Sequence, residues 1–268
     1  MARGLDALTL EIHRSPVPPE GKLALGIFDF FSKGRDDRPK AAKDIARLER
    51  LVSNKLSQNY DRQEAIEELS KIADAASSAA LFKRFDWNLD PSITDQEEKA
   101  SCVAGIVAAG EDALEPLRRY AKKAESLTWP LKILPEIVPQ ERVADELLEL
   151  LDQFDTEYVR NPEPKVQLLQ ALESYPSEEV RVAVEPFLGD ASEMVRFNAA
   201  NTVFAVNDPK SVPALVAALD GEESLRVRNR IAQGLAERGS SIPTELHDVC
   251  QKNLPEGYVL RGDRIERT

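Results

Sequence analysis

The feature that most constrains the fold is an internal repeat near the C-terminus, with an offset of 32 residues. The pair Val195–Arg196 recurs as the pair Val227–Arg228, and an alanine follows four residues after the arginine in both stretches. Self-similarity with a period of about 20–50 residues is typical of proteins that stack one supersecondary unit. Because each unit buries its apolar face only against its neighbours, we expect a continuous core along the stack.

The spacing of apolar residues predicts that the repeated unit is a pair of helices. From Pro39 onward, apolar residues recur at helical spacing in segments of about 10–16 residues, separated by short polar or proline-bearing breaks. Aromatic residues make up only 6 % of the chain, which favours closely packed helices over a β-sandwich. We predict six helix pairs, over residues 61–89, 95–124, 126–155, 161–190, 191–220 and 221–254.

Prolines predict where the second helix of a pair begins. A proline is tolerated in the first turn of a helix because its missing N–H has no partner there in any case. Four segments of the chain contain a proline with an apolar residue one or two positions before it and another within three positions after it. We therefore expect second helices to start at Leu114–Leu117, Val184–Leu188, Val212–Leu215 and Ile242–Leu246.

The later chain carries a more specific pattern. An acidic turn precedes Val195–Arg196, and Val212–Leu215 reads Val-Pro-Ala-Leu at the predicted start of the next helix. This combination resembles the HEAT repeat, in particular its bilin-lyase-like subtype, and the whole arrangement is similar to bacterial HEAT proteins of unassigned role. The match is good over residues 190–250 and looser over residues 61–189. The resemblance implies an all-α, right-handed α-solenoid, or superhelix, of about six antiparallel helix pairs.

The resemblance also implies a role for the repeated arginines. In place of a ligand site, it suggests a structural ladder in which Arg196 and Arg228 bond acidic turn residues or carbonyl groups of adjacent repeats. Asp190 and Asp220 stand in the corresponding turns and are the expected acceptors.

Both ends of the chain break the helical period. The proline-rich start predicts a disordered leader over residues 1–24. A Phe-rich segment and a capping helix are expected over 25–60, the solenoid over 61–254, and an extended, hairpin-like tail over 255–268.

The Phe-rich segment has two interpretations that stay open. Phe28, Phe30 and Phe31 either pack onto the first helices of the domain or make a peripheral contact with a membrane or a partner groove.

Charge and composition restrict the partners. The net charge of −12 opposes a general role in binding nucleic acid, which requires a basic surface. Neither an export signal nor a stretch long enough to span a bilayer is visible in the sequence, so we expect a cytoplasmic protein without stable membrane insertion. Cys102 and Cys250 each lie among apolar residues and are expected to be reduced core thiols.

The sequence assigns no catalytic, cofactor-binding or metal-binding residues. Only two histidines occur, and glycines are scattered, so no metal-ligand set, catalytic triad or phosphate-binding loop can be built from them. Trp87 and Trp129 lie beside apolar runs, which favours core packing over a role as stacking platforms for a flipped base.

An uneven distribution of charge indicates one candidate surface. Residues 141–163 contain eight acids against two bases, whereas a short basic patch lies just before them in the chain. We expect this patch to contribute to a site for an acidic peptide or protein on the concave solenoid face. The alternative is a solvated helix face whose cations match the helix dipole. The patch consists of Arg118, Arg119, Tyr120, Lys122 and Lys123.

A non-catalytic scaffold or adaptor for a protein partner is therefore the favoured function. A bilin-lyase-like enzyme subunit or a chaperone-like accessory protein is the alternative, and a HEAT-like DNA-repair glycosylase is favoured less because the net charge has the wrong sign.

Overall fold

The structure is a computed structural model that describes residues 38–268. The predicted leader and the Phe-rich segment with Phe28, Phe30 and Phe31 lie outside the described residues. Contacts divide the chain into two units, Met1–Asp44 and Ile45–Thr268. Of the first unit, the structure describes only a helical stretch from Arg38, so the following paragraphs concern the second unit.

The described residues form thirteen α-helices and one two-stranded sheet. In chain order, the elements are α1 (Arg38–Ser53), α2 (Asn59–Ile72), α3 (Ala75–Phe82), α4 (Ser92–Ala108), α5 (Leu114–Ala121), α6 (Thr128–Ile137), α7 (Gln140–Leu151), α8 (Glu163–Leu172), α9 (Glu178–Val184), α10 (Glu193–Val206), α11 (Val212–Leu219), α12 (Leu225–Glu237), α13 (His247–Asn253), β1 (Tyr258–Arg261) and β2 (Arg264–Arg267). Short 3-10 helices occupy Lys83–Asp86, Gly110–Ala113, Glu185–Gly189, Pro209–Ser211 and Thr244–Leu246.

Helices α2 to α13 form six pairs that stack in two layers. First helices pack on first helices, α2 on α4, α4 on α6, α8 on α10 and α10 on α12. Second helices pack on second helices, α3 on α5, α7 on α9 and α11 on α13. The core lies between the two layers, so each pair is completed by its neighbours. The prediction of an all-α solenoid of about six helix pairs is confirmed.

The repeat in the sequence is also a repeat in burial. Ala200 and Ala232, which are equivalent under the 32-residue offset, are both fully buried. Val203 and Leu235, one turn further along α10 and α12, are each 1 % exposed. The small alanines and the branched side chains of Val203 and Leu235 allow neighbouring first helices to pack closely.

Capping side chains explain where several helices begin. The Asp74 carboxylate accepts from the Ser77 backbone N–H, and the Ser77 hydroxyl accepts from the Asp74 N–H, which together form a capping box at the start of α3. The Ser224 hydroxyl accepts from the Val227 N–H at the start of α12. These groups satisfy N–H donors that the helix itself leaves unpaired.

Two of the four proline-based predictions are correct and two are wrong. Pro116 and Pro213 lie in the first turns of α5 and α11, as expected. Pro186 instead follows α9, because the Ser177 hydroxyl accepts from the Val180 backbone N–H and the helix begins at Glu178. After Pro243 a 3-10 turn intervenes, and α13 begins only at His247.

The C-terminal tail is a β-hairpin, as predicted. Strands β1 and β2 pair antiparallel, with Leu260 opposite Ile265 and with Gly262 at φ +61° in the turn between them. Strand β2 packs on α12 and β1 on α13, and Ile265 is only 3 % exposed. The hairpin therefore covers the end of the stack, while the domain boundaries proposed from the sequence stay predictions.

Among the helices described, none combines the length and the apolar character needed to cross a bilayer.

Candidate partner-binding site

The predicted basic patch lies on α5 and the turn after it, in the layer of second helices. Arg118 is the member of the patch whose charge is paired, and its side chain is 27 % exposed. Its guanidinium lies 2.5 Å from the Glu146 carboxylate and 2.7 Å from that of Glu149, both on α7 of the next pair. The acidic stretch thus neutralises Arg118, which joins two repeats.

Three other cations of the patch remain exposed. Arg119 lies 3.6 Å from Glu115, and both side chains are more than 60 % exposed, so water screens this pair. Lys122 and Lys123 form no ion pair with any residue that the structure describes. Lys83, from the 3-10 turn after α3, adds a fourth exposed cation beside them.

An apolar floor accompanies these cations. The Tyr120 ring stacks on Phe82, with centroids 5.1 Å apart and planes at 22°. Burial and the nearby Asp86 carboxylate raise the pKa of the Tyr120 phenol well above its usual range, so the ring stays neutral. A cavity of about 400 Å³ opens here, lined by Phe82 and Tyr120 and edged by the cations Lys83, Arg119 and Lys123.

Arg196, the first arginine of the predicted ladder, joins two repeats. Its guanidinium lies 2.7 Å from the Glu222 carboxylate, in the turn before α12, and it also donates to the backbone carbonyl of Asp190 at 2.9 Å. The Asp190 side chain bonds Lys165 at 2.8 Å instead, with both groups at most 1 % exposed. The acid that meets Arg196 is therefore Glu222, where the sequence suggested Asp190 and Asp220.

The second predicted contact of the ladder, between Arg228 and Asp220, does not form. The Asp220 carboxylate accepts from the Asn253 side chain at 3.2 Å. The Nε of Arg228 is buried and has no hydrogen-bond partner among the residues that the structure describes. The pair that contains Arg228 is followed in the described residues by the β-hairpin, which takes the place of an acidic turn of a further pair.

A cluster of five buried charges between the first two pairs was not predicted from the sequence. Arg62 on α2, Arg84 after α3, and Asp95, Glu98 and Lys99 on α4 are each at most 3 % exposed. In the sequence they look like the many solvated charges of amphipathic helices. The four-residue spacing of Asp95 and Lys99 was the only available signal, and it is common on exposed helix faces.

Ion pairs hold this buried cluster together. Glu98 accepts from Arg62 at 2.9 Å and from Arg84 at 2.7 Å, while Asp95 accepts from Arg84 and Lys99, each at 2.8 Å. Burial alone raises the pKa of Asp95, but the hydrogen bonds from Lys99 and Arg84 outweigh it and hold the pKa below its usual value.

Trp87 and Trp129 both lie at the edge of the core and are partly buried. The Arg84 guanidinium lies 3.8 Å from the centroid of the Trp87 ring, so Trp87 covers the buried cluster. Trp129 stacks on Phe85, with centroids 5.2 Å apart and planes at 8°. Both faces of Trp129 are occupied, because the Lys132 ammonium lies 4.7 Å from its centroid.

Exposed apolar side chains recur in the first turns of the first helices. Tyr60, Ile93 and Met194 are the second residues of the first helices α2, α4 and α10, and Leu225 is the first residue of α12. Their exposures are 76, 70, 42 and 62 %. Since first helices lie side by side, the first turns of α2 and α4 share one edge of the stack, as do those of α10 and α12.

No group of three or more His, Cys, Asp or Glu side chains that could hold a metal ion occurs in the described part of the chain. Cys102 and Cys250 are buried and free, and burial raises the pKa of both thiols.

Stacked helix pairs joined by ion pairs define an α-solenoid of the repeat-protein class. Residues 144–236 match the family model described as HEAT repeats. None of the curated proteins matches the chain. One similar solved structure, described as "Computational Design of Self-Assembling Cyclic Protein Homooligomers", is 14 % identical, covers 85 % of this chain and 89 % of that chain, and has a TM-score of 0.18. A TM-score this low supports no conclusion about the fold.

Proposed function

We propose that this protein is a non-catalytic scaffold of the cytoplasm that binds an acidic segment of a protein partner at the basic patch. The observation that carries the proposal is a group of four exposed cations beside an apolar floor. Lys83, Arg119 and Lys123 line the cavity next to the ring of Tyr120, together with the single acid Asp86. Lys122 is exposed on the same turn.

The architecture supports this proposal. HEAT repeats commonly serve as protein-interaction scaffolds, since a stack of helix pairs presents a continuous surface that a compact domain of equal size lacks. The patch lies on the layer of second helices, which we place on the concave face of the solenoid. The finer assignment, to the bilin-lyase-like subtype, rests on the Val-Arg pairs of α10 and α12.

Charge complementarity indicates an acidic partner. Opposite charges at an interface accelerate association and exclude partners of the wrong sign. The Tyr120 ring and the apolar wall of the cavity would contribute the buried, water-excluding centre that such interfaces need. Arg118 takes no part, because Glu146 and Glu149 already hold it.

The test compares partner recovery by two variants of the full chain from the native cell. The first variant carries Arg119→Glu, Lys122→Glu and Lys123→Glu and leaves Arg118 intact, so that the contact with α7 survives. Quantitative mass spectrometry should show that one or more proteins recovered by the wild type are lost.

The matched control changes the same amount of charge elsewhere. Lys55, Lys71 and Lys252 are exposed cations outside the patch, and their triple substitution by glutamate should leave recovery unchanged. Equal recovery by the wild type and the patch variant would contradict the proposed site.

A further inference from the structure

The buried charge cluster carries one positive charge in excess. Three cations, Arg62, Arg84 and Lys99, face two carboxylates, Asp95 and Glu98, and all five side chains are at most 3 % exposed. An uncompensated charge away from water is costly, so buried cations are normally paired. A bound anion would therefore neutralise the cluster.

Each guanidinium nitrogen of Arg62 and Arg84 donates at least one hydrogen bond, and the Lys99 ammonium donates two of its three. Besides the carboxylates, Arg62 donates to the Ser57 carbonyl and the Asn59 side chain, and Arg84 donates to the Trp87 carbonyl. The Lys99 ammonium donates to Asn88 at 2.5 Å and to Asp95 at 2.8 Å. Because an ammonium has three N–H groups, one of them lacks an acceptor among the described residues.

A second donor, on the Trp87 ring that covers the cluster, is also without an acceptor. The indole Nε1 of Trp87 is buried and makes no hydrogen bond within the described part of the chain. Buried N–H groups without a partner are rare in folded proteins, and each one requires an explanation. Two such donors, one of them charged, occur within the same small region.

Lys99 and Trp87 both line a cavity of about 600 Å³ where the segment after α3, helix α4 and the start of α6 meet. Three lysines, Lys99, Lys123 and Lys132, line it against two carboxylates, Asp86 and Glu125. Hydroxyl and amide groups of Gln96, Ser126 and Thr128 complete a polar wall. The cavity is large enough for a small organic anion or for one side chain of a partner.

We propose that this cavity binds an oxyanion, a carboxylate or a phosphate group, with the Lys99 ammonium and the Trp87 indole N–H as donors. The anion balances the excess charge of the cluster and accepts both unused hydrogen bonds. Such charge-assisted bonds are among the strongest that proteins form. The proposal does not depend on the basic patch binding a protein, since a free anion satisfies the same groups.

Intrinsic fluorescence tests this proposal directly, because the only two tryptophans of the chain, Trp87 and Trp129, both line the cavity. The full-length protein is titrated with sodium phosphate, sodium citrate and a hexaglutamate peptide, each against sodium chloride of equal ionic strength. We expect a saturable change in fluorescence with at least one of these probes.

Lys99→Met is the decisive variant. It removes the unused donor and leaves two cations against two carboxylates, so we expect it to fold and to lose the saturable response. Lys71→Met, an exposed control on α2, should respond as the wild type does. Trp87→Phe keeps a ring over Arg84, leaves Trp129 as the reporter, and should bind about tenfold more weakly or worse.

The probes distinguish the source of the anion. A Lys99-dependent response to phosphate or citrate supports a free anion, and one to hexaglutamate alone supports carboxylates carried by a peptide. The proposal is overturned if no probe gives a saturable response. It is also overturned if both Lys99→Met and Trp87→Phe bind as tightly as the wild type.

Discussion

At the scale of single residues, a few buried charges link separate elements of the fold, although in the sequence they look like ordinary surface charges. Glu98 alone is the acceptor for two arginines that come from different elements, Arg62 and Arg84. Its carboxylate therefore links α2, the turn after α3, and α4. A pair on the surface of the same helix would contribute little, because water screens it.

We predict that Glu98→Gln lowers the free energy of unfolding by about 3–5 kcal/mol, because it leaves two buried guanidinium groups without their shared counter-charge. Urea denaturation followed by circular dichroism measures the change. The neighbouring exposed residue offers a control, since Glu97→Gln should change stability by less than about 0.5 kcal/mol. Similar midpoints for both variants would show that Glu98 contributes little.

We predict a specific dependence of stability on pH from Asp95. Its folded-state pKa lies below the ordinary value of 3.8, so the stabilisation is complete above pH 3.8 and is lost as the pH falls towards the lowered pKa. Urea midpoints measured through this range should fall less steeply for Asp95→Asn than for the wild type. Asp112→Asn, at an exposed position, should keep the wild-type slope.

At the scale of elements, two glycines allow first helices to approach their neighbours. A Cβ added at Gly105 on α4 would meet the Ser70 hydroxyl of α2 and lie 2.9 Å from a Leu81 methyl of α3. A Cβ at Gly234 on α12 would overlap the Phe204 ring of α10. Packing therefore leaves no room for a larger residue at either position, although glycine lowers the intrinsic stability of a helix.

We predict that Gly234→Ala destabilises the protein by about 1–3 kcal/mol, because overpacking against Phe204 outweighs the gain in helix propensity of about 1 kcal/mol. Thermal unfolding of the two proteins provides the comparison. Gly189→Ala is the control, as nothing lies within 4 Å of a Cβ there. A higher melting temperature for Gly234→Ala would contradict this account.

At the scale of the whole described unit, stability depends on neighbours in the stack. Each helix pair is completed by the next, and the last pair is covered by the hairpin in place of another repeat. Ile242 donates its backbone N–H to the Asp263 carbonyl at 2.7 Å, and Ile265 is buried against the final pair. The hairpin therefore acts as a cap.

We predict that Ile265→Ser destabilises the end of the stack by about 2–5 kcal/mol, since it removes a buried apolar side chain from the cap. Hydrogen exchange should accelerate in α12 and α13 and stay unchanged in α2 to α5, because the coupling between repeats acts through nearest neighbours. Glu266→Ser, at an exposed position of the same strand, should leave the pattern as in the wild type. Uniform acceleration along the chain would contradict nearest-neighbour coupling.

The exposed patch and the oxyanion cavity differ in how far they could be anticipated. The cations of Arg119, Lys122 and Lys123 are adjacent in the sequence, so their clustering on one helix end is a local property. The cavity with Lys99 and Trp87 joins groups from different pairs. In the sequence, Lys99 resembles the solvated charges around it, and Trp87 was expected to pack in the core.

The amino-acid sequence by itself determined the helices, their grouping into pairs, the stacking of equivalent residues and the terminal hairpin. These features follow from spacings of three to four residues, from turn-forming glycine and from one repeat period. Such local patterns decide which side chains share a helix face and where the chain turns. Only the tertiary structure decided that Arg118 meets Glu146, that Arg196 meets Glu222, and that Arg62, Glu98 and Lys99 are buried. The reason is physical, because ion-pair partners some 26–36 residues apart depend on how neighbouring pairs align, and no local spacing encodes that alignment.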